Sequence, residues 1–221
     1  MWTGFTFDWY IKLFHNQLII KSVINTFIVA ISSSIIATIL GTAAAIGINS
    51  LNKTMKSSIM TITYIPIINP EIVTGVSLML LFSFLKMQFG FSTLILAHIT
   101  FNIPYVILNV IPKIRQIDKY IYDAAMDLGC SPFMTLFKVI IPEIMPGILA
   151  GFIMSFTFSL DDFVISYFTS GPTSQTLPII IFSMTRRKVS PEINALSTII
   201  FILVLSILLI TNLNKNKKRL D

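Results

Sequence analysis

Charged side chains are scarce. They make up 12% of the 221 residues, about half the ~25% of an ordinary soluble domain. That is too little to cover an aqueous surface, and with a mean hydropathy of +0.82 the solvent for most of this chain has to be a bilayer. Cysteine is nearly absent. Cys130 stands alone, which excludes an internal disulfide and a thiolate metal site, and we assign it no role. No G-x-x-x-x-G-K-[ST] occurs, so the chain cannot hold ATP in a P-loop. There is no H-E-x-x-H and no Ser/His/Asp set with supporting context, so no residue is assigned a catalytic or metal-binding part. Internal repeats, low-complexity tracts and linkers are also missing, which leaves one membrane domain, 1–221. The net charge of +6 does not imply nucleic acid, because the basic residues are dispersed between apolar spans and not gathered on one face.

Long apolar runs fill the rest. No charge occurs between Ser22 and Asn52, enough for one membrane helix of ~20 residues. Further spans are predicted at 58–85, 91–111, 145–168 and 193–213, making five in an all-α, polytopic helical bundle. Residues 1–21 mix aromatics with Asp8, Lys12 and His15, as an external or interfacial segment would. Placing the 113–144 loop in the cytoplasm puts ten basic residues on that side, among them Lys53, Lys56, Arg115 and four near the C-terminus, against six outside. The positive-inside rule favours that arrangement and a cytoplasmic C-terminus, with Arg186-Arg187-Lys188 as a local exception.

Within this apolar chain, Asp118 to Gly147 is a polar island built like a docking element. Tyr120 to Leu128 predicts a short amphipathic helix centred on Ala124-Ala125. Gly129 can close it in the left-handed conformation. Ser131-Pro132 can cap and restart a helix, which is expected to stop at Pro142. Two short helices at a glycine elbow make a knob, and paired alanines let a partner approach closely.

Acidic residues also appear where the bilayer should be. Asp161-Asp162 stand late in the fourth predicted span, and an acid near mid-membrane costs ~2.5–3.5 kcal/mol on insertion scales. Either they cap a broken helix or bond to a neighbouring one, or they line a path for cations. Adjacent residues point ~100° apart on a helix, so one would face the path and the other support it. Glu71 follows Pro66 and Pro70 in a stretch expected to break, and broken helices at membrane depth line cavities or lie buried in protein. The alternative for Glu71 is a boundary cap. No Lys or Arg falls within these spans, and a set of anions without counter-ions is a cation site. Of the nearby aromatics, Tyr64 and Tyr167 are candidates for cation–π contact. His98 and Asn102, one turn apart, are expected to bond across helices.

Two sets of residues carry a resemblance. Asp123-Ala124-Ala125, Leu128-Gly129 and Ile141-Pro142 resemble the EAA loop of the membrane subunits of bacterial ABC importers, with Asp123 where that pattern has Glu. The segments TFDWY, NPEIV and HITFNIPYV, then FTFSLDDFVISYFTSGP and LPIIIFSMTRRKVSPEINALSTI, resemble the C-type membrane subunit of the spermidine/putrescine importers. The resemblance implies a type I ABC importer transmembrane fold. Residues 118–147 become its cytoplasmic coupling loop. It also implies a second permease subunit, a pair of ATPase subunits that bind the ATP and magnesium, and an extracytoplasmic polyamine-binding protein, all in a bacterial inner membrane. Members usually have six spans, the first lying before the equivalent of Trp2. A shortened form or a start set too late would each account for five. An importer of ferric ion or amino acids, a cation channel subunit and an intramembrane enzyme using the paired aspartates are the competing readings. The last is weakened because adjacent helical carboxylates diverge.

Overall fold

Small residues decide how the helices meet. The computed structural model describes residues 8–118 and 120–185, together with 191, 194, 195, 197–199, 201 and 202. After a short helix α1 (Asp8–His15) comes α2 (Gln17–Ser50), 34 residues long. The Asn16 side chain caps α2 by accepting the Leu18 and Ile19 N–H groups. The face of α2 turned inward is small or hydroxylated: Ser22, Thr26, Ala30, Ser33, Ala37, Gly41 and Ala45 are buried. The outward face carries Phe27, Ile31, Ile35 and Ile39, all exposed. Large-out and small-in inverts the soluble pattern and suits a helix whose outer solvent is lipid. Hydroxyls on the inner face return to their own backbone, as Ser22 Oγ does to the Ile19 carbonyl at 2.8 Å and Thr26 Oγ1 to that of Ser22 at 2.8 Å. These two are buried with their donors satisfied, whereas Thr38 Oγ1 and Thr42 Oγ1 on the same helix are buried without a partner.

The partner helices use the same device. Helix α5 (Phe91–Ile114) and helix α8 (Ile141–Asp161) run antiparallel and complete a three-helix core with α2. Gly147, Gly151, Ser155 and Ser159, one per turn, are the buried face of α8. A Cβ on Gly151 would come within 3.1 Å of the Val106 Cα, and one on Gly41 within 2.7 Å of the Val106 Cβ. Val106 is therefore a knob held between two glycines on two helices. Close backbone approach gives dispersion contacts where the hydrophobic effect offers none.

Helices α3 (Lys53–Ile68) and α4 (Glu71–Phe84) are joined through Asn69-Pro70 and bent by 102°. The predicted span 58–85 is thus a broken pair, as expected of a stretch holding Pro66 and Pro70. Pro70 has no N–H for the ladder and pushes Asn69 out of the helical region, so the break falls there, whereas Pro66 is absorbed inside α3. Helix α4 packs on α9 (Val164–Thr169), and α10 (Leu177–Thr185) packs on α2.

Two further boundaries are corrected. The segment 1–21 is divided at Asn16, since 17–21 already belongs to α2, where Lys21 is exposed and can reach the interface. The span 145–168 instead begins at Pro132 and ends at Asp161. Helix α7 (Pro132–Thr135) passes through a π turn (Leu136–Ile140) straight into α8. Pro142 does not stop it. The wider turn, in which the Ile141 N–H reaches back to the Leu136 carbonyl, accommodates a residue that has no donor of its own. Three described helices are long and apolar enough to cross a membrane, or four with the bent pair as one. The predicted span 193–213, Lys119, the Arg186-Arg187-Lys188 cluster, Trp2 and the C-terminal basic run lie wholly or largely outside the described residues.

Candidate functional site

Two helix breaks face one another across an open cavity of ≈ 520 Å³. One is the α3–α4 bend. The other lies between α8 and α9, where Asp162 adopts an extended conformation (φ −61°, ψ 122°). Glu71, Asp161 and Asp162 all line this cavity. No Lys or Arg lies among the described residues lining it.

The three acids are not equivalent. Asp162 works for the fold: its carboxylate accepts the Ser166 N–H at 2.7 Å and the Ile165 N–H at 3.3 Å, capping α9. Its side chain is 6% exposed and stands 3.6 Å from His98 Nε2, which in turn meets Ser166 Oγ at 3.0 Å. Asp162 thus caps α9 and also lines the cavity. Glu71 opens α4, where the positive end of a helix favours an anion. Asp161 has the reverse setting. It is the last residue of α8, and the carbonyl end of a helix disfavours negative charge. It is also exposed to the cavity and adjoins a second carboxylate. A cation in the cavity would relieve both.

Part of the lining is aromatic. Tyr105 and Phe158 line the cavity with ring centroids 4.6 Å apart. Tyr105 is not among the residues the sequence marks as candidates. Its one clue in the sequence is its place on α5 one turn beyond Asn102. The two candidate tyrosines, Tyr64 and Tyr167, lie elsewhere. Tyr64 lines a separate cleft with Lys53, Lys56 and Arg115. Tyr167 lines another with Phe89 and Phe168. Neither shares the acidic cavity.

Beneath the cavity a buried hydroxyl and amide network joins the helices. Asn102 Nδ2 donates to Ser159 Oγ at 2.8 Å, and Ser159 Oγ meets Ser33 Oγ at 3.2 Å. His98 and Asn102 thus bond across helices as their sequence setting suggests, linking α5 to α8, α9 and α2. Among the described residues no group of three or more His, Cys, Asp or Glu could hold a metal.

At the far end of α8 lies the elbow. Helix α6 spans Ile121–Asp127, and Gly129 follows with φ +88°. The Cys130 N–H bonds to the Ala125 carbonyl at 3.1 Å and the Gly129 N–H to that of Met126 at 2.9 Å, a Schellman closure. Ser131 Oγ then accepts the Met134 N–H at 3.2 Å, with Pro132 in the first turn. Asp123 and Ala124 are exposed, but Ala125 is buried, so the alanine pair does not present one smooth face. Neighbours on a helix diverge by ~100°. The exposed apolar surface comes instead from Leu128 (87%) and Phe133 (72%). From Pro132 to Asp161 the helix is unbroken over 30 residues, roughly 44 Å at 1.5 Å per residue. The elbow and the acidic cavity are therefore the two ends of one rod.

The chain is similar to known membrane transport proteins. The chain is 37% identical over 98% of its length to the "Spermidine/putrescine transport system permease protein PotC" of Haemophilus influenzae, covering 84% of that protein. It is 38% identical over 90% of its length to the "Putrescine transport system permease protein PotI" of Escherichia coli, covering 74% of it. A bacterial ABC transporter involved in the import of the polysaccharide alginate superposes with a TM-score of 0.76 at 16% identity, over 95% of this chain and 83% of that one. An amino acid ABC transporter superposes with a TM-score of 0.63 at 22% identity. Both share the fold. Residues 37–216 match the family described as binding-protein-dependent transport system inner membrane component, and the chain belongs to that family.

Proposed function

We propose that this permease subunit forms part of the path for polyamines, spermidine or putrescine, in an ATP-driven importer. The chain is a multi-pass membrane transport subunit and not an enzyme, as its relatives are. One observation carries the substrate class. Glu71 and Asp161 line a single cavity with no Lys or Arg among its described lining residues, and Asp161 sits at the helix end least hospitable to an anion. A flexible alkyl chain bearing several ammonium groups matches such a site. Its charges meet the carboxylates, its methylenes lie along Tyr105 and Phe158, and an ammonium over a ring face gains roughly 0.5–2 kcal/mol. The names of the relatives support the same class. Ferric ion would call for a convergent set of three or more ligands, and amino acids would require a partner for their carboxylate.

The partners we infer are a second permease subunit, an ATPase pair gripping the elbow, and an extracytoplasmic binding protein. ATP and magnesium would be bound by the ATPase; no cofactor is assigned to this chain. The bacterial inner membrane is the setting, with the elbow and the C-terminus in the cytoplasm. The elbow's differential affinity for the open and closed ATPase would bias this subunit between inward- and outward-open states. The rod from Pro132 to Asp161 supplies the link, because a tilt at the elbow moves the carboxylate at the other end.

Uptake of radiolabelled spermidine, putrescine, histidine and ferric ion by the complex reconstituted in vesicles tests this. ATP-dependent accumulation of the two amines alone is expected. Accumulation of histidine or iron in their place would overturn the substrate class.

A further inference from the structure

At the elbow's end of the bundle, a cleft of ≈ 380 Å³ lies between the start of α3 and the end of α5. Lys53, Lys56 and Arg115 converge on it, and Ser57, Thr61 and Tyr64 add hydroxyls from the same helix. No carboxylate lies among its described lining residues. Lys56 is half-buried and its ammonium is fixed by the Asn49 side-chain carbonyl at 2.7 Å, so this charge is positioned before any ligand arrives. Lys53, Ser57, Thr61 and Tyr64 recur at helical spacing, giving one polar stripe along α3 that climbs from the charged end into the apolar zone. Helix α3 has no buried residue. Its other faces present Met55, Ile62 and Ile65, each at least half exposed.

A basic loop that merely obeys charge asymmetry would spread its cations into water. Here three cations share one concave site with the Ser57 and Tyr64 hydroxyls, the Thr61 hydroxyl donating instead to the Ser57 carbonyl at 3.0 Å, and the apolar flank of the same helix runs away from it. That combination matches a molecule with a phosphate at one end and hydrocarbon at the other. We propose that this cleft binds the phosphate of an anionic phospholipid headgroup, with its acyl chains lying along the exposed side of α3. Basic pockets between membrane helices recognise anionic headgroups in this way. The phosphate meets charge-assisted bonds from Lys53, Lys56 and Arg115. The lipid then fills the space between α3 and α5 and holds the start of α3 in place.

The test uses the whole complex in detergent, titrated with phosphatidylglycerol and read by native mass spectrometry. Phosphatidylcholine and inorganic phosphate serve as separate probes. Saturable binding of phosphatidylglycerol is expected, weakened roughly 30-fold in a Lys56→Gln/Arg115→Gln variant, the factor for losing two basic groups beside an anionic headgroup. A Lys12→Gln/Lys21→Gln variant, which loses the same charge elsewhere, should bind as the parent does, and Lys56→Arg should retain binding. Equal retention of phosphatidylglycerol by the cleft variant would overturn the site. Equal binding of phosphatidylcholine would overturn the role of charge. Displacement of the lipid by millimolar inorganic phosphate would reassign the cleft to a free anion. Both double variants alter exposed or half-exposed side chains, and co-elution of each with the ATPase confirms that it is assembled.

Discussion

Substitution of Gly129 separates backbone geometry from packing unusually cleanly. The residue holds φ at +88°, and a Cβ added there meets nothing within 4 Å. Any effect of a side chain must therefore arise from the left-handed conformation itself, which costs an L-residue roughly 1–2 kcal/mol. Asn tolerates that region better than other residues, Ala less well, and β-branched Val worst. A penalty of 1–2 kcal/mol shifts an equilibrium by a factor of roughly 5–30, here between the Schellman-closed elbow and one in which the Cys130–Ala125 and Gly129–Met126 bonds are lost. In the reconstituted complex, substrate-stimulated ATPase activity and coupled uptake should fall in the order Gly, Asn, Ala, Val, with Val at least fivefold below the parent. Basal ATPase activity should stay unchanged, because the nucleotide sites lie on the partner. A Val variant as well coupled as the parent, or an Asn variant as impaired as Val, would refute the reasoning.

Asp162→Ala leaves the Ile165 and Ser166 N–H groups of α9 without a cap and should destabilise the subunit by about 1 kcal/mol, whereas Asp162→Asn retains an acceptor and should lose only a small part of this; thermal denaturation in detergent distinguishes them. Gly41→Leu drives a side chain into Val106 at a spacing already below contact and should destabilise by about 1–3 kcal/mol, with Val106→Ala restoring much of the loss in the double variant. Removing the elbow's exposed apolar contacts with Leu128→Ala/Phe133→Ala should weaken capture of the ATPase by more than tenfold, since burying one such side chain is worth about 1.5–3 kcal/mol; a pull-down at graded subunit concentrations measures it.

How far the sequence reaches can be judged at particular residues. The α3–α4 break was legible because Pro70 acts locally, on its own N–H and on Asn69. The elbow was legible for the same reason, through Gly129 and Ser131-Pro132. Pro142 misled, because a proline ends a helix only when its missing donor and its ring have no accommodation, and the π turn before it supplies one. The division of labour between Asp161 and Asp162 could not be read, since two identical neighbours differ only in where α8 ends. Tyr105 was hidden because its place on the acidic cavity depends on how α5 lies against α8 and the α3–α4 bend. Ala125 is inward for an equally tertiary reason: the elbow folds back on itself and covers one of two adjacent alanines.

The account rests on two carboxylates that share a cavity with no Lys or Arg among its described lining residues, one of them at the head of a long helical lever. The most direct measurement is the initial rate of spermidine uptake by the reconstituted complex carrying Asp161→Asn, Glu71→Gln or both, at matched assembly with the ATPase and binding protein. Each single change is expected to lower uptake at least tenfold, and the pair further still, while the ATPase remains bound to the elbow. Parental uptake in the double variant would contradict the central claim.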